Sequence, residues 1–232
     1  MPYAKTAVFW FIGLLAVLVL GFWKSYFAVF FDGMHGAHHA HGLAMLAWVL
    51  LLIHQAWRVR TKNLAAHRSV GKLSILLAPI IAVSGVWVTF HNVARFEEPI
   101  PPFGYSIFLL GLYSVFLYVV LYTLAMVHRK NVQFHARFMV GTALVFLVPG
   151  LSRAMGNYIA PTGLPALTFY QCLWVPLVVA LVLLALDWKN GRTRKPFTIF
   201  VVLWAIQMAL WHLLPYVGPW QRFTAWAASV GA

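Results

Sequence analysis

Seven apolar segments, each long enough to cross a lipid bilayer as a helix, dictate what this chain can fold into. They run over about residues 7–31, 40–57, 70–91, 103–127, 134–152, 166–186 and 197–214. A hydrocarbon core of ~30 Å is spanned by roughly 20 helical residues. Soluble domains carry about 25% charged residues; here 9% are charged and 62% hydrophobic, which excludes that class. The expected fold is all-α, a polytopic membrane helix bundle of about seven transmembrane helices forming one domain over residues 1–232. Pro79 and Pro176 predict kinks inside their segments. The first segment lacks a small-residue cleavage site and is too long for a signal-peptide core, so it reads as a helix. Lys24 near its end has a stem long enough to snorkel to the headgroups. Trp220 and Trp226, in the short tail, read as interface anchors rather than part of another span.

The formal charge of +13 would suit a nucleic-acid partner, but its distribution excludes one. Thirteen of the 17 Lys and Arg stand at alternate segment boundaries: Lys5; Arg58, Arg60, Lys62, Arg68 and Lys72; Arg129, Lys130 and Arg137; Lys189, Arg192, Arg194 and Lys195. Only Lys24, Arg95, Arg153 and Arg222 stand at the others, together with Asp32, Glu97 and Glu98. This is the positive-inside pattern of a multi-pass protein in a bacterial inner membrane. It places the N-terminus inside and the C-terminus outside, with the basic loops against anionic lipid headgroups. The single cysteine, Cys172, excludes an internal disulfide.

Ionisable groups within or beside membrane spans are costly and mark functional candidates. Here they fall into two layers. The outer one holds His35, His38, His39, His41, His91, His212 and Arg153; the inner one holds His54, His67, His128, His135 and Asp187. Neutral imidazole is the commonest ligand for haem and for metals. The histidine-rich stretch 34–42 has enough imidazoles for a Zn or Cu site, with His38, His39 and His41 as candidate ligands. A solvated loop that binds metal only adventitiously is the alternative. His41, Met45, Trp48, Leu52 and Gln55 are spaced to share one face of the second helix. His54 is turned about 140° from His41, which favours a local or interhelical hydrogen bond for it. His67 and His135 each precede a helix on the inner side, with Gly71 and Gly141 further along to allow close approach. They read either as ligands at one depth or as headgroup-level histidines. Asp187 reads as a salt-bridge partner of Lys189 or Arg192, and Arg153 as a donor to outer-end carbonyls or a holder of an acidic headgroup.

At His41-Gly42, Met45, Trp48, His67, Gly85 and His135 the chain resembles the transmembrane ascorbate-reducible cytochrome b family, over about residues 39–150. The fourth helix departs from that family's pattern: Phe103-Gly104-Tyr105 stands where a histidine is expected, and His91 is the candidate substitute. Over nearly its whole length, through His39-Ala40-His41-Gly42, Gln55, His67-Arg68, His135-Ala136-Arg137-Phe138-Met139, Arg153 and Asp187, the chain also resembles a group of uncharacterised bacterial His-rich multi-pass inner-membrane proteins. The first resemblance implies haem b and electron transfer, with quinone as a candidate partner. On that reading His67 and His135 hold an inner haem, His41 and His91 an outer site, and Arg68 and Arg137 the propionates. Two rival expectations stand beside it. One is a zinc-dependent intramembrane hydrolase using His67, His135 and Asp187. The other is a non-catalytic accessory subunit of a larger membrane complex. The residues do not decide between an enzyme and a carrier.

The charge pattern makes its own prediction. Cysteines placed at positions 62 and 192 should resist a membrane-impermeant thiol reagent in intact cells and react once the membrane is opened. Labelling in intact cells would reverse the topology.

Overall fold

In lipid every backbone N–H and C=O must be satisfied within its own segment, so the apolar stretches become helices. In the computed structural model, which describes residues 6–231, the secondary structure is helical throughout, with no strand among the described residues. Lys5, counted among the basic boundary residues, lies outside them. The helices are α1 (Ala7–Phe22), α2 (Gly36–Arg60), α3 (Leu64–Gly71), α4 (Leu73–Val93) and α5 (Pro102–Val127). There follow α6 (Val132–Val145), α7 (Leu147–Ala154), α8 (Phe169–Lys189), α9 (Lys195–Leu213) and α10 (Gly218–Gly231). Seven stretches are long and apolar enough to cross a membrane: Ala7–Phe27, Gly36–Arg60, Leu64–Val93, Pro102–Val127, Val132–Thr162, Phe169–Lys189 and Lys195–Tyr216. The chain is a multi-pass membrane protein, and exposed apolar side chains such as Trp10, Leu76 and Val83 are what a lipid-facing surface requires.

Several boundaries differ from the sequence expectation. The third span begins at Leu64 because Asn63 caps it, its Oδ1 accepting from the Ala66 N–H at 3.0 Å. It breaks near Lys72 before α4 continues. The fifth span breaks at Phe146: Pro149 has no N–H for the Val145 carbonyl and its ring crowds that group. The tail is more than a pair of anchors, because α10 folds as a helix. Trp220 donates its indole N–H to the Tyr105 carbonyl at 3.2 Å and packs on a cluster of Val93, Ile100, Phe108 and Ala227.

The chain divides into two compact units. One comprises the chain up to Ile81 with Phe146–Val175; the other comprises Ala82–Val145 with the chain from Pro176 onward. In the first, α1 packs on α7 and α2, and α2 on α3. The α1–α7 crossing is built on glycine: a Cβ on Gly21 would strike the Gly150 backbone, and one on Gly150 would meet Leu18 at 2.8 Å. Small residues at a crossing let two membrane helices touch backbone to backbone. Just past it both chains widen into π-helical turns, Trp23–Phe27 and Met155–Ile159. Asn157 Nδ2 donates to the Gly21 carbonyl at 3.2 Å, and Lys24 Nζ donates to the Asn157 carbonyl at 3.3 Å. Lys24 also lies 5.4 Å over the Tyr158 ring, so its stem turns to a neighbouring helix.

In the second unit α5 is central, packed on α6 and α9. Its hydroxyls reach α9 carbonyls: Tyr113 donates to Leu203 at 2.9 Å and Ser106 to Trp211 at 3.0 Å. Gly111 receives Thr89 of α4, and Gly141 of α6 lies against Leu121 and Phe200.

The glycine crossing predicts a contrast of sign. Gly21→Ala should lower the unfolding midpoint in detergent, by about 1–3 kcal/mol of stability, because backbone cannot yield to the added methyl. Gly13→Ala, whose Cβ would meet nothing within 4 Å, should be neutral or stabilise by up to about 1 kcal/mol. Equal midpoints for the two variants would remove the crossing as a stabilising feature.

Candidate functional site

The histidine-rich stretch is helical from Gly36, with His35 as its cap: the Ala37 N–H donates to His35 Nδ1 at 3.2 Å. Helical phase then separates the imidazoles. His38 and His41 lie about 60° apart on one face, while His39 is turned about 100° from His38. His39 packs against Phe30 at 4.7 Å and Tyr26 at 5.8 Å between ring centroids. Tyr26, from the π-helical turn, lies over Gly42, where a Cβ would approach its ring to 2.7 Å. His38, His39 and His41 therefore do not share a face as the metal set expected from the sequence. Tyr26 Oη and His39 Nδ1 are both buried without a hydrogen-bond partner among the described residues.

At the other end of α2 the Arg58 Nε–H donates to His54 Nε2 at 3.0 Å, an i,i+4 bond along one helix. Gln55 faces α3. With its amide oriented to satisfy both ends, the nitrogen donates to the His67 carbonyl at 2.9 Å and to His67 Nδ1 at 2.6 Å. The oxygen accepts from the Gly71 N–H at 3.0 Å. One amide thus holds the α2–α3 pair at the point where the third span breaks. Nδ1 of His67 is an acceptor here, so its neutral ring carries the proton on Nε2. Binding iron through Nε2 requires the other tautomer. Arg68 is exposed on α3.

In the second unit His135 is set differently. Its Nδ1–H donates to the Ala125 carbonyl of α5 at 2.9 Å, which leaves the lone pair on Nε2. A carbonyl that fixes one ring nitrogen and presents the other as a base is the usual support of a ligating imidazole. His91 shows the same polarity, its Nδ1–H donating to the Gly231 carbonyl at 3.3 Å. His128 ends α5 with its ring against Phe134 at 4.9 Å and Phe138 at 6.1 Å. Arg153, in the first unit, donates to the Pro149 carbonyl at 3.1 Å and stacks over Phe22 at 4.5 Å.

Arg137 corrects the sequence expectation. Its Nε and Nη2 donate to the two Asp187 oxygens at 2.5 and 2.6 Å, and its Nη1 to the Gln133 carbonyl at 2.9 Å. Both side chains are essentially inaccessible, at 0% and 1% exposure. Arg137 is therefore committed to a carboxylate and does not reach for haem propionates. Asp187 pairs with Arg137 rather than with Lys189 or Arg192, and the hydrolase reading loses its carboxylate.

A polar residue the sequence reading passed over lies in α9. Gln207 is 3% exposed, and neither its amide nitrogen nor its oxygen has a hydrogen-bond partner among the described residues. Leaving such a group unsatisfied costs about 1–3 kcal/mol. Its cue was available: an uncharged amide in the middle of an apolar span. No family model, curated protein or solved structure matches this chain, so the residues themselves carry the functional reading.

The buried ion pair is testable by how it breaks. Asp187→Asn or Arg137→Met alone should destabilise by about 3–5 kcal/mol, since one buried charge loses its partner. The double variant Arg137→Met/Asp187→Leu should recover most of that loss. Denaturant midpoints in detergent give the comparison, and a double variant worse than either single one would contradict it.

Proposed function

We propose that this chain is a haem b-binding electron-transfer protein of a bacterial inner membrane, with His135 as an axial ligand. The observation that carries the reading is the His135–Ala125 hydrogen bond. It fixes the ring and places a proton on Nδ1, so Nε2 is the ligating nitrogen. His67 is the second axial ligand expected from the sequence, and within the first unit Gln55 holds its Nδ1. Arg68 remains the propionate partner, and Arg137 serves the Asp187 pair instead. Bound haem would supply a one-electron couple, and the apolar helices around it would set the potential and exclude water. The protein's own part is to hold the His135 ring and its Nδ1 proton in place. The basic loops then face the cytoplasm and its anionic lipids.

The visible spectrum of the purified protein tests this directly. A Soret band with low-spin, bis-imidazole character is expected, and His135→Ala should abolish it. His67→Ala should convert it to high spin, and His128→Ala should leave it unchanged because that ring already stacks on Phe134 and Phe138. A protein purified without a Soret band, or His135→Ala with an unaltered one, overturns the cytochrome reading and favours an accessory subunit.

A further inference from the structure

We propose that α10 is an interfacial helix, seated along the lipid headgroup–acyl boundary through a stripe of Phe223, Trp226 and Val230. The proposal is independent of haem, and every residue it uses belongs to the second unit. Fourteen residues at ~1.5 Å each reach about 21 Å, short of a hydrocarbon core of ~30 Å. Both ends of α10 are tied at one membrane boundary. Near its start the Trp220 indole donates to the Tyr105 carbonyl at 3.2 Å, in the first turn of α5. At its finish the Gly231 carbonyl accepts from the His91 Nδ1–H at 3.3 Å, in the last turn of α4. A Cβ on Gly231 would strike the Phe90 carbonyl, so this end lies directly on α4. The third span ends at Val93 and the fourth begins at Pro102. A helix fixed to both of those ends runs along the boundary rather than into the core.

Helical phase gives α10 three faces. Trp220, Thr224, Ala227 and Gly231 mark the docked one, where Thr224 and Ala227 are fully buried. Phe223, Trp226 and Val230 are centred about 100° from it, and they are 39%, 55% and 59% exposed. Arg222, Ala225 and Ser229, also exposed, lie roughly opposite the docked face. The apolar stripe continues a surface that already faces lipid. Val83, Trp87 and Phe90 share one side of α4, at spacings of four and three, and Val83 and Trp87 are exposed. Phe90 meets Trp226 edge to face at 6.0 Å, and Trp226 stacks on Phe223 at 5.6 Å. The lipid-facing flank of α4 thus passes onto α10. Of the two tryptophans expected as anchors, Trp220 belongs to the docked face and Trp226 to the lipid. Charge does not select the lipid, because at this boundary of the second unit Arg95 and Arg222 are balanced by Glu97 and Glu98. Burial of the apolar stripe therefore carries the attachment.

The experiment uses the full-length protein in lipid nanodiscs. Single cysteines at positions 222, 223, 225, 226, 229 and 230, all exposed, each carry a small thiol-linked fluorophore. The native Cys172 is buried, so the parent serves as the labelling blank. Labels at 223, 226 and 230 should be quenched by phospholipid brominated on its acyl chains and shielded from aqueous iodide. Labels at 222, 225 and 229 should show the reverse. The contrast in bromolipid quenching should be the same in zwitterionic and anionic bilayers, because apolar burial drives it. Iodide reaching all six positions alike puts the stripe in water and overturns the proposal. Protection of the stripe from both quenchers overturns it as well, since a protein partner or a second copy then covers that face. A contrast that appears only in anionic bilayers replaces apolar seating by charge attraction and also overturns it.

Discussion

The hydrocarbon core holds no water that could satisfy a polar group, and the structure of this chain follows from that constraint. It first forces the apolar stretches into helices. It then requires each polar side chain between them to find a partner within the protein, and the partners are mostly backbone carbonyls. Tyr113, Ser106, Asn157, Lys24, Arg153 and His135 all donate to one. The Arg137–Asp187 pair is the extreme case. Removing two ions from water costs several kcal/mol each, so the pair persists only with good geometry and further hydrogen bonds. Two parallel N–H···O bonds and the Gln133 carbonyl supply both.

The two units meet the constraint with different means. The first uses closeness: Gly21 and Gly150 bring α1 and α7 into backbone contact, and the chain then widens into paired π-helical turns joined by Asn157 and Lys24. The second uses polar bridges from α5 and α6 to α8 and α9, with larger side chains between the helices. The chain passes from one unit to the other after Ile81, Val145 and Val175. Each passage lies within four residues of a proline: Pro79, Pro149 or Pro176. A proline removes a helical hydrogen bond and crowds the carbonyl four residues back, so the spans are locally weakest where the units exchange them.

Most of the architecture was legible in the sequence because bilayer thickness and helix rise leave little freedom. The number of spans and their approximate limits follow from hydropathy alone. What escaped depended on one residue or on distant contacts. α2 starts at Gly36 rather than near Ala40, so His38, His39 and His41 sit on a helix instead of a loop. Phase then sends His39 toward Tyr26 and Phe30. Arg137 looked like one more boundary cation; only tertiary packing shows that it answers the buried Asp187 carboxylate 50 residues away. The opposed tautomers of His67 and His135 have no sequence signature. One is set by Gln55 and the other by the Ala125 carbonyl.

A side chain whose bonds are complete within the protein is explained by the fold, whereas a buried polar atom without a bond asks for something the fold does not supply. Arg137, Asp187, Gln55 and Arg153 belong to the first kind. Among the described residues, Tyr26 Oη, His39 Nδ1, His54 Nδ1 and both ends of the Gln207 amide belong to the second. His54 has the Arg58 bond on its other nitrogen, near a helix end where water is close. The other three lie toward the end of the spans opposite the basic loops, two in the first unit and one in the second. Two environments therefore coexist in this chain. Near the basic loops the polar groups are bonded within the protein: Arg137 to Asp187, the His135 ring to the Ala125 carbonyl and the His67 ring to Gln55. Toward the opposite end, the Tyr26 hydroxyl and both ends of the Gln207 amide are buried without a hydrogen bond among the described residues.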